Sequence, residues 1–264
     1  MIDFSSSIAY YGEQNIPTDF IDKADRFGLT LICVKPLVNQ SGLGSKMSTL
    51  VNQTSALFIF EFDENLPLLI SFFQAANKSV FFISEEESNL PKAVKHHANV
   101  KAAFLELLKE TDKTIVDTKI GKVELRFNAF GLIYLKTNNH EETTLKPSHQ
   151  ALKVQKQLEA YLEGKRKNFH LKIGLFGTEF QRNVWKELIN IPYGKTISYG
   201  ELAVKVDHSS ASRAVGHANG KNPIWIVVPC HRVISKDGDL TGYAGGLDLK
   251  QWLLELESDQ MSLF

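Results

Sequence analysis

Cysteine is scarce in this sequence. Its 264 residues include only 2, Cys33 and Cys230, too few for a disulfide scaffold or a Cys-rich zinc site. A reducing compartment is expected, and thiol chemistry stays open. Neither sign of charge is in excess, with 30 Lys and Arg against 30 Asp and Glu, so whole-chain charge does not announce a polyanionic partner. Long apolar runs are absent as well: none approaches the ~20 residues of a membrane span. The start, Met1-Ile2-Asp3-Phe4, lacks the basic and apolar regions of a signal peptide. The expectation is a soluble cytoplasmic protein with no membrane partner. The 8 Pro and 17 Gly are spread along the chain, and 43% of residues are hydrophobic, which excludes collagen-like, coiled-coil and wholly disordered classes. At ~100–200 residues per domain, the chain holds one large domain or two smaller ones.

The overall neutrality hides a split. Residues 1–112 carry 9 basic against 14 acidic side chains, and residues 113–264 carry 21 against 16. The second part is the candidate for a polyanionic partner, although so mild an excess does not establish one. No internal repeat or low-complexity segment is present.

Residues 1–112 alternate short apolar runs with helical patterns. Strand-like runs are Ile8-Ala9-Tyr10-Tyr11, Leu29–Val34, Ala56–Phe62 and Val80–Ile83. Helices are expected after Pro17-Thr18-Asp19, over Pro67–Ala76 and over Pro91–Lys109. This alternation implies a parallel sheet with crossover helices. The layout resembles a degenerate receiver domain, with Ala56-Leu57-Phe58-Ile59-Phe60-Glu61 where such domains place the strand that ends in a phospho-accepting Asp. The acidic pair expected after the first strand is missing. Cys33, inside Leu31-Ile32-Cys33-Val34, reads as a small core residue.

From Thr114 the pattern changes to two alternating strands, Lys122–Phe127 and Leu132–Lys136, with a turn at Asn128–Gly131. A helix is expected over Ser148–Glu163, with Ala151, Val154, Leu158, Tyr161 and Leu162 on its apolar face. Thr178 and Gln181 form a capping box for the next helix, which turns Phe180, Val184, Trp185, Leu188 and Ile189 inward. Ser198-Tyr199-Gly200-Glu201 is a second capping box. It opens a short helix through Val206 that turns at Asp207-His208-Ser209 into another, Ser210–Asn219, so the pair reads as a helix-turn-helix. The outward positions of the second helix are nearly all small except Arg213. Such a face suits close approach to a minor groove or backbone, and equally suits tight helix packing.

Asn222-Pro223-Ile224-Trp225-Ile226-Val227-Val228-Pro229-Cys230-His231-Arg232-Val233 reads as an apolar strand delivering a cysteine between a proline and a histidine. His231 and Arg232 are expected to make the surroundings of Cys230 electropositive and favour the nucleophilic thiolate, and a His polarised by a carboxylate can take its proton.

Pro229-Cys230-His231-Arg232-Val233, with Asn222, Arg213-Ala214-Val215-Gly216, Tyr199 and Tyr243-Ala244-Gly245-Gly246-Leu247 at their spacings, resembles the O6-alkylguanine-DNA alkyltransferases over roughly residues 114–257. The resemblance implies a mixed α/β (α+β) chain. Beyond the small α/β domain at 1–112, it would hold a ribonuclease-H-like α/β subdomain at 113–175 and a winged-helix-like helix-turn-helix catalytic subdomain at 176–264. It implies irreversible transfer of an alkyl group from O6 of guanine, and also from O4 of thymine, to Cys230. His231 would activate the thiol through a water, Glu257 would orient His231, Tyr199 would donate to the base N3, and Asn222 would tie the helix-turn-helix to the active-site loop. Arg213 would hold the place of the flipped nucleotide, with Ser198, Ala211, Ala214 and Gly216 against the DNA. The carbonyls of Cys230 and Val233, the amide of Ala244 and the side chain of Tyr243 would line the base pocket. Neither metal nor cofactor is implied, and the partner is double-stranded DNA containing O6-alkylguanine, bound by a monomer. Many relatives carry Ser at the position of Ala244. Three rival readings are a non-catalytic recogniser of alkylated DNA, which Cys230 argues against, a regulatory protein, and a cysteine hydrolase, which leaves Arg213 unexplained.

Overall fold

The computed structural model describes residues 7–11, 30–33, 54–59, 79–83, 95–97, 108–109, 112–208 and 211–259. The architecture is mixed α/β, and the chain divides into two compact units, one comprising Phe4–Lys109 with Asn128–Phe130 and the other the remainder.

In the first unit, β1 (Ser7–Tyr11), β2 (Thr30–Cys33), β3 (Thr54–Ile59), β4 (Ser79–Ile83) and β5 (Lys95–His97) form one sheet in the order β2-β1-β3-β4-β5, every pairing parallel. Runs such as Ser79-Val80-Phe81-Phe82-Ile83 do not alternate, as expected of strands covered on both faces, and Leu57, Ile59 and Val80 are buried. The order is that of flavodoxin-like doubly wound sheets, whose direction reverses between β1 and β3. The helix expected over Pro91–Lys109 does not hold near its start, because Lys95, His96 and His97 pair with Phe81, Phe82 and Ile83 of β4; Leu108 is helical, and residues 98–107 lie outside the described residues. A short polar run carries no period of its own, and the free edge of β4 decides its conformation. The expected helices after Asp19 and over Pro67–Ala76 lie outside the described residues, as does the side chain of Cys33.

The second unit opens with β6 (Asp112–Thr118), β7 (Gly121–Asn128) and β8 (Gly131–Thr137), a three-stranded sheet in sequence order in which β6 and β7 are antiparallel. Sequence periodicity misses β6, because three consecutive residues, Thr114, Ile115 and Val116, are all buried. Gly131 sits at φ +100°, and a side chain there would collide with the Lys172 carbonyl. That close approach lets Leu132 exchange backbone bonds with Lys172 and Gly174 at 3.0 and 2.9 Å. Further along β8, Leu135 donates to Pro223 and accepts from Trp225, both at 2.9 Å. The small sheet is thereby stitched to the segment leading to Cys230.

Helix α1 (His149–Leu162) starts at the N-cap Ser148 and buries Ala151, Val154, Leu158, Tyr161 and Leu162, the face expected from sequence. Helix α2 (Glu179–Ile189) has the Thr178–Gln181 capping box and buries Val184, Trp185 and Leu188, while Phe180 and Ile189 are half-buried. The strand pair β9 (Ile197–Ser198) and β10 (Val233–Ile234) is parallel. It sets the start of α3 (Tyr199–Lys205), capped by the Ser198–Glu201 box, beside the residues after Cys230. Asp207, at φ 57°, turns the chain toward α4 (Ser212–Gly220). Ser209 and Ser210, expected in this turn and at the start of α4, lie outside the described residues. Trp185 closes the core against α4 by donating to the Ala218 carbonyl at 2.9 Å. Helix α5 (Leu247–Asp259) completes the unit.

The apolar run before Cys230 is not a strand. Ile226 adopts φ 70°, Val227 donates back to the Trp225 carbonyl at 2.7 Å, and Val228 donates to Ile224 at 3.0 Å. The chain therefore doubles back between Pro223 and Pro229. Composition cannot reveal one left-handed residue among β-branched neighbours.

Candidate active site

Cys230 opens a 3-10 turn, Cys230–Arg232, and is buried. Its amide donates to Val228 at 2.8 Å, and its sulfur accepts from the side-chain amide of Asn222 at 3.0 Å. Asn222 also donates to the Val228 carbonyl at 2.8 Å and accepts from the Ile224 amide at 2.9 Å. One fully buried side chain thus shapes the loop and solvates the sulfur. Burial pushes the thiol up to about 11, against the pull of the Asn222 donor, the backbone N–H, Lys250 and Lys136. The expected thiolate-favouring environment from His231 and Arg232 is therefore corrected. Arg232 is committed to Glu257, and burial outweighs the cations that do face the sulfur. A thiol protonated at neutral pH needs a base.

His231 and Glu257 supply that arrangement. The imidazole Nε2 lies 2.9 Å from Glu257 Oε1, with both side chains buried. Burial pushes the imidazole below its usual value despite the opposing carboxylate. A neutral imidazole here carries its proton on Nε2, toward the carboxylate, and leaves the Nδ1 lone pair as the basic site. Nδ1 is buried and takes no protein partner. Burial acts to raise Glu257, but the bonds and charges of His231 and Arg232 bring it down to about 2. Its oxygens accept from Arg232 Nε at 3.0 and 3.2 Å, Arg232 Nη2 at 2.9 Å and the Gly194 amide at 2.8 Å, and from the Tyr161 hydroxyl. Arg232 also donates to the Ile191 carbonyl at 2.6 Å.

Of the other predicted residues, Tyr199 and Tyr243 lie within electrostatic reach of Cys230. Tyr199, at the start of α3, is half-buried and donates to the Thr241 carbonyl at 3.2 Å. A side chain at Gly216 would meet its ring at 3.6 Å, so Gly216 is the bed on which Tyr199 lies. Tyr243 is buried, lies with its ring tilted 40° to Trp225 at 5.5 Å and has a hydroxyl with no protein partner, while Ala244 beside it is exposed. Val233 is buried, and its carbonyl accepts from Lys250 at 2.7 Å. Arg213 and Ala214 are exposed on α4, and Ala211 is its half-buried N-cap. The Ser198 hydroxyl is engaged in the α3 cap, donating to Glu201 at 2.8 Å.

Sequence reasoning missed three contributors. Lys250 is buried and ties the carbonyls of Val233 and Thr241 together at 2.7 and 2.9 Å, fixing the loop between them. Its signal was spacing, since Lys250, Leu253 and Glu257 at i, i+3 and i+7 share one face of α5. Lys136 of β8, half-buried and 5.3 Å over the Trp225 ring, is a cation that faces the sulfur. Tyr161 reaches Glu257 from α1.

Residues 179–259 match the family model described as 6-O-methylguanine DNA methyltransferase, DNA binding domain. The methylated-DNA-protein-cysteine methyltransferase of Methanosarcina barkeri is 44% identical over 153 residues, covering 56% of this chain and 97% of that one. The chain belongs to the methylated-DNA-protein-cysteine methyltransferase family. The relative from Mycolicibacterium paratuberculosis is 59% identical over 101 residues, 38% of this chain and 61% of its own. Among solved structures, the Mycobacterium tuberculosis OGT in complex with DNA is 43% identical with a TM-score of 0.51, covering 56% of this chain and 93% of that chain. Among the described residues, no helix of this methyltransferase-family chain is long and apolar enough to cross a membrane.

Proposed function

We propose that this chain is a DNA repair transferase that moves a methyl or larger alkyl group from O6 of guanine, and from O4 of thymine, in duplex DNA onto Cys230, once per molecule. The observation that carries the reading is the buried series Cys230, His231 and Glu257, with Asn222 bonded to the sulfur. His231 Nδ1 takes the thiol proton through a water, Glu257 stabilises the resulting imidazolium, and Asn222 stabilises the thiolate. The sulfur attacks the alkyl carbon as its bond to O6 breaks, and the electron pair passes to the guanine. Tyr199 meets that charge by donating to N3. The departing guanine takes up one proton from solvent at N1, balancing the thiol proton that passed to His231, and the products are a thioether and an unmodified guanine.

The base must leave the duplex for this attack. Arg213, exposed on the helix-turn-helix, fills the gap, with Ser198, Ala211, Ala214 and Gly216 against the DNA. Residues 113–175 form the ribonuclease-H-like subdomain and 176–264 the winged-helix-like catalytic one. Residues 1–112 form an added receiver-like domain.

Intact mass before and after mixing with an O6-methylguanine duplex tests the activity. One added methylene on the peptide containing Cys230 is expected, and none in Cys230→Ala, which should still bind DNA because phosphate and groove contacts carry affinity. Transfer to another residue of that variant overturns the assignment.

A further inference from the structure

We propose that Tyr161 of α1 is a positioning residue of the alkyl-transfer relay, its hydroxyl holding the Glu257 carboxylate in place against His231. This rests on the function proposed above. A tyrosine on the apolar face of an amphipathic helix has a core role by default, but a buried phenol still needs a partner for its hydroxyl. Tyr161 is 0% exposed, its ring 5.2 Å from Phe169 and edge-on to Tyr193 at 5.8 Å. Its hydroxyl donates to Glu257 Oε1, the same oxygen that accepts from His231, and lies 3.4 Å from His231 Nε2.

That sharing has two consequences. The hydroxyl fixes the carboxylate's rotation from the side of α1, while Arg232 and the Gly194 amide fix it from the other. It also draws charge from the oxygen that stabilises the imidazolium, so it weakens the hold of Glu257 on a second imidazole proton. Burial and the Glu257 charge push the phenol well above its usual value, which keeps it a donor throughout the working range. The groups facing the imidazole are Glu257 and Lys250 from α5, the adjacent Arg232, and Tyr161. Tyr193 borders the Arg232–Glu257 pair. Of these, Tyr161 alone comes from α1.

Tyr161→Phe keeps the ring and removes the donor. Glu257 then holds the imidazolium more strongly, and the proton stays on His231 to higher pH. In the full chain, the acid limb of the single-turnover rate with O6-benzylguanine should move up by about one pH unit, a roughly ten-fold loss on the limb and little on the plateau. The His231 imidazole titration, followed by NMR without DNA and assigned by its loss in His231→Gln, should move the same way. A rate lowered by one factor at every pH, or an unmoved titration, overturns the proposal by making Tyr161 packing alone. Should the Phe variant misfold, 3-fluorotyrosine placed at 161 decides. It is a stronger donor of the same shape, so the limb and the titration must move to lower pH, and no movement overturns the proposal. Because the titration needs no substrate, failure of the wild-type chain to accept an alkyl group would overturn the proposed function instead.

Discussion

The side-chain amide of Asn222 donates to the Cys230 sulfur at 3.0 Å while its oxygen accepts from the Ile224 amide at 2.9 Å. The residue that stabilises the nucleophile therefore also holds the loop presenting it. Asn222→Ala should remove a donor to developing thiolate, leave the Ile224 N–H without its partner and leave the Val228 C=O with the Cys230 amide alone. Transfer to Cys230 should slow by about ten- to a hundred-fold, and stability should fall by about 1–3 kcal/mol. Single-turnover kinetics and urea unfolding check both. A destabilised variant that transfers at the wild-type rate would reduce Asn222 to a loop brace.

Glu257 links the relay to acid stability. A carboxylate held at about 2 in the folded chain, against 4.5 ordinarily, contributes stability that is fully present above about pH 4.5 and is lost as pH falls through about 2. The difference corresponds to about 3 kcal/mol. Glu257→Gln should be less stable than the wild type at pH 7, since it leaves Arg232 buried without its counter-ion. The gap between the two proteins should narrow as the pH is lowered below 4.5. Urea midpoints taken from pH 7 down to pH 3 measure that gap, and a constant gap would show that the pair does not set the carboxylate.

Features coded locally were legible in the sequence. Ser148, Thr178 with Gln181, and Ser198 with Glu201 each marked a helix start that the structure has, because a cap is a contact between near neighbours. What escaped depends on distant partners. The β5 strand exists because β4 offers an edge, and the loop before Cys230 turns at Ile226 because β8 and Asn222 hold its two ends. Arg232 read as a cation beside the thiol, yet a carboxylate 25 positions later claims it. Lys250 drew no reading and Tyr161 read as a core tyrosine, since sharing a helix face does not by itself announce an ammonium on two carbonyls or a phenol on Glu257.

Arg213 is exposed on α4 among small neighbours. Arg213→Ala should slow repair in duplex DNA more than dealkylation of free O6-benzylguanine, because unstacking a base costs a few kcal/mol in a duplex and nothing for a free base. A comparison of the two rates in one preparation provides the test. Equal losses on both substrates would indicate damage to the fold rather than a lost place-holder.

The two units differ in charge, with the basic excess in residues 113–264. The second unit contains β6 to β10, helices α1 to α5 and the Cys230, His231 and Glu257 series, so it has the parts of a self-sufficient module. The cut belongs at Glu110, because Asp112 already pairs in β6 and accepts from Thr114 at 2.8 Å and from the α1 cap Ser148. A fragment of residues 110–264 should fold alone and repair O6-methylguanine. It should also bind undamaged duplex at least as tightly as the full chain, since removing a net acidic segment takes away like charge to phosphate. Surface charges are screened over ~8–10 Å at physiological salt, and DNA binding itself weakens with salt through counterion release. The titrations must therefore be run at one ionic strength. An insoluble or inactive fragment would show that residues 1–109 complete the core, and weaker binding would show that they supply DNA contacts.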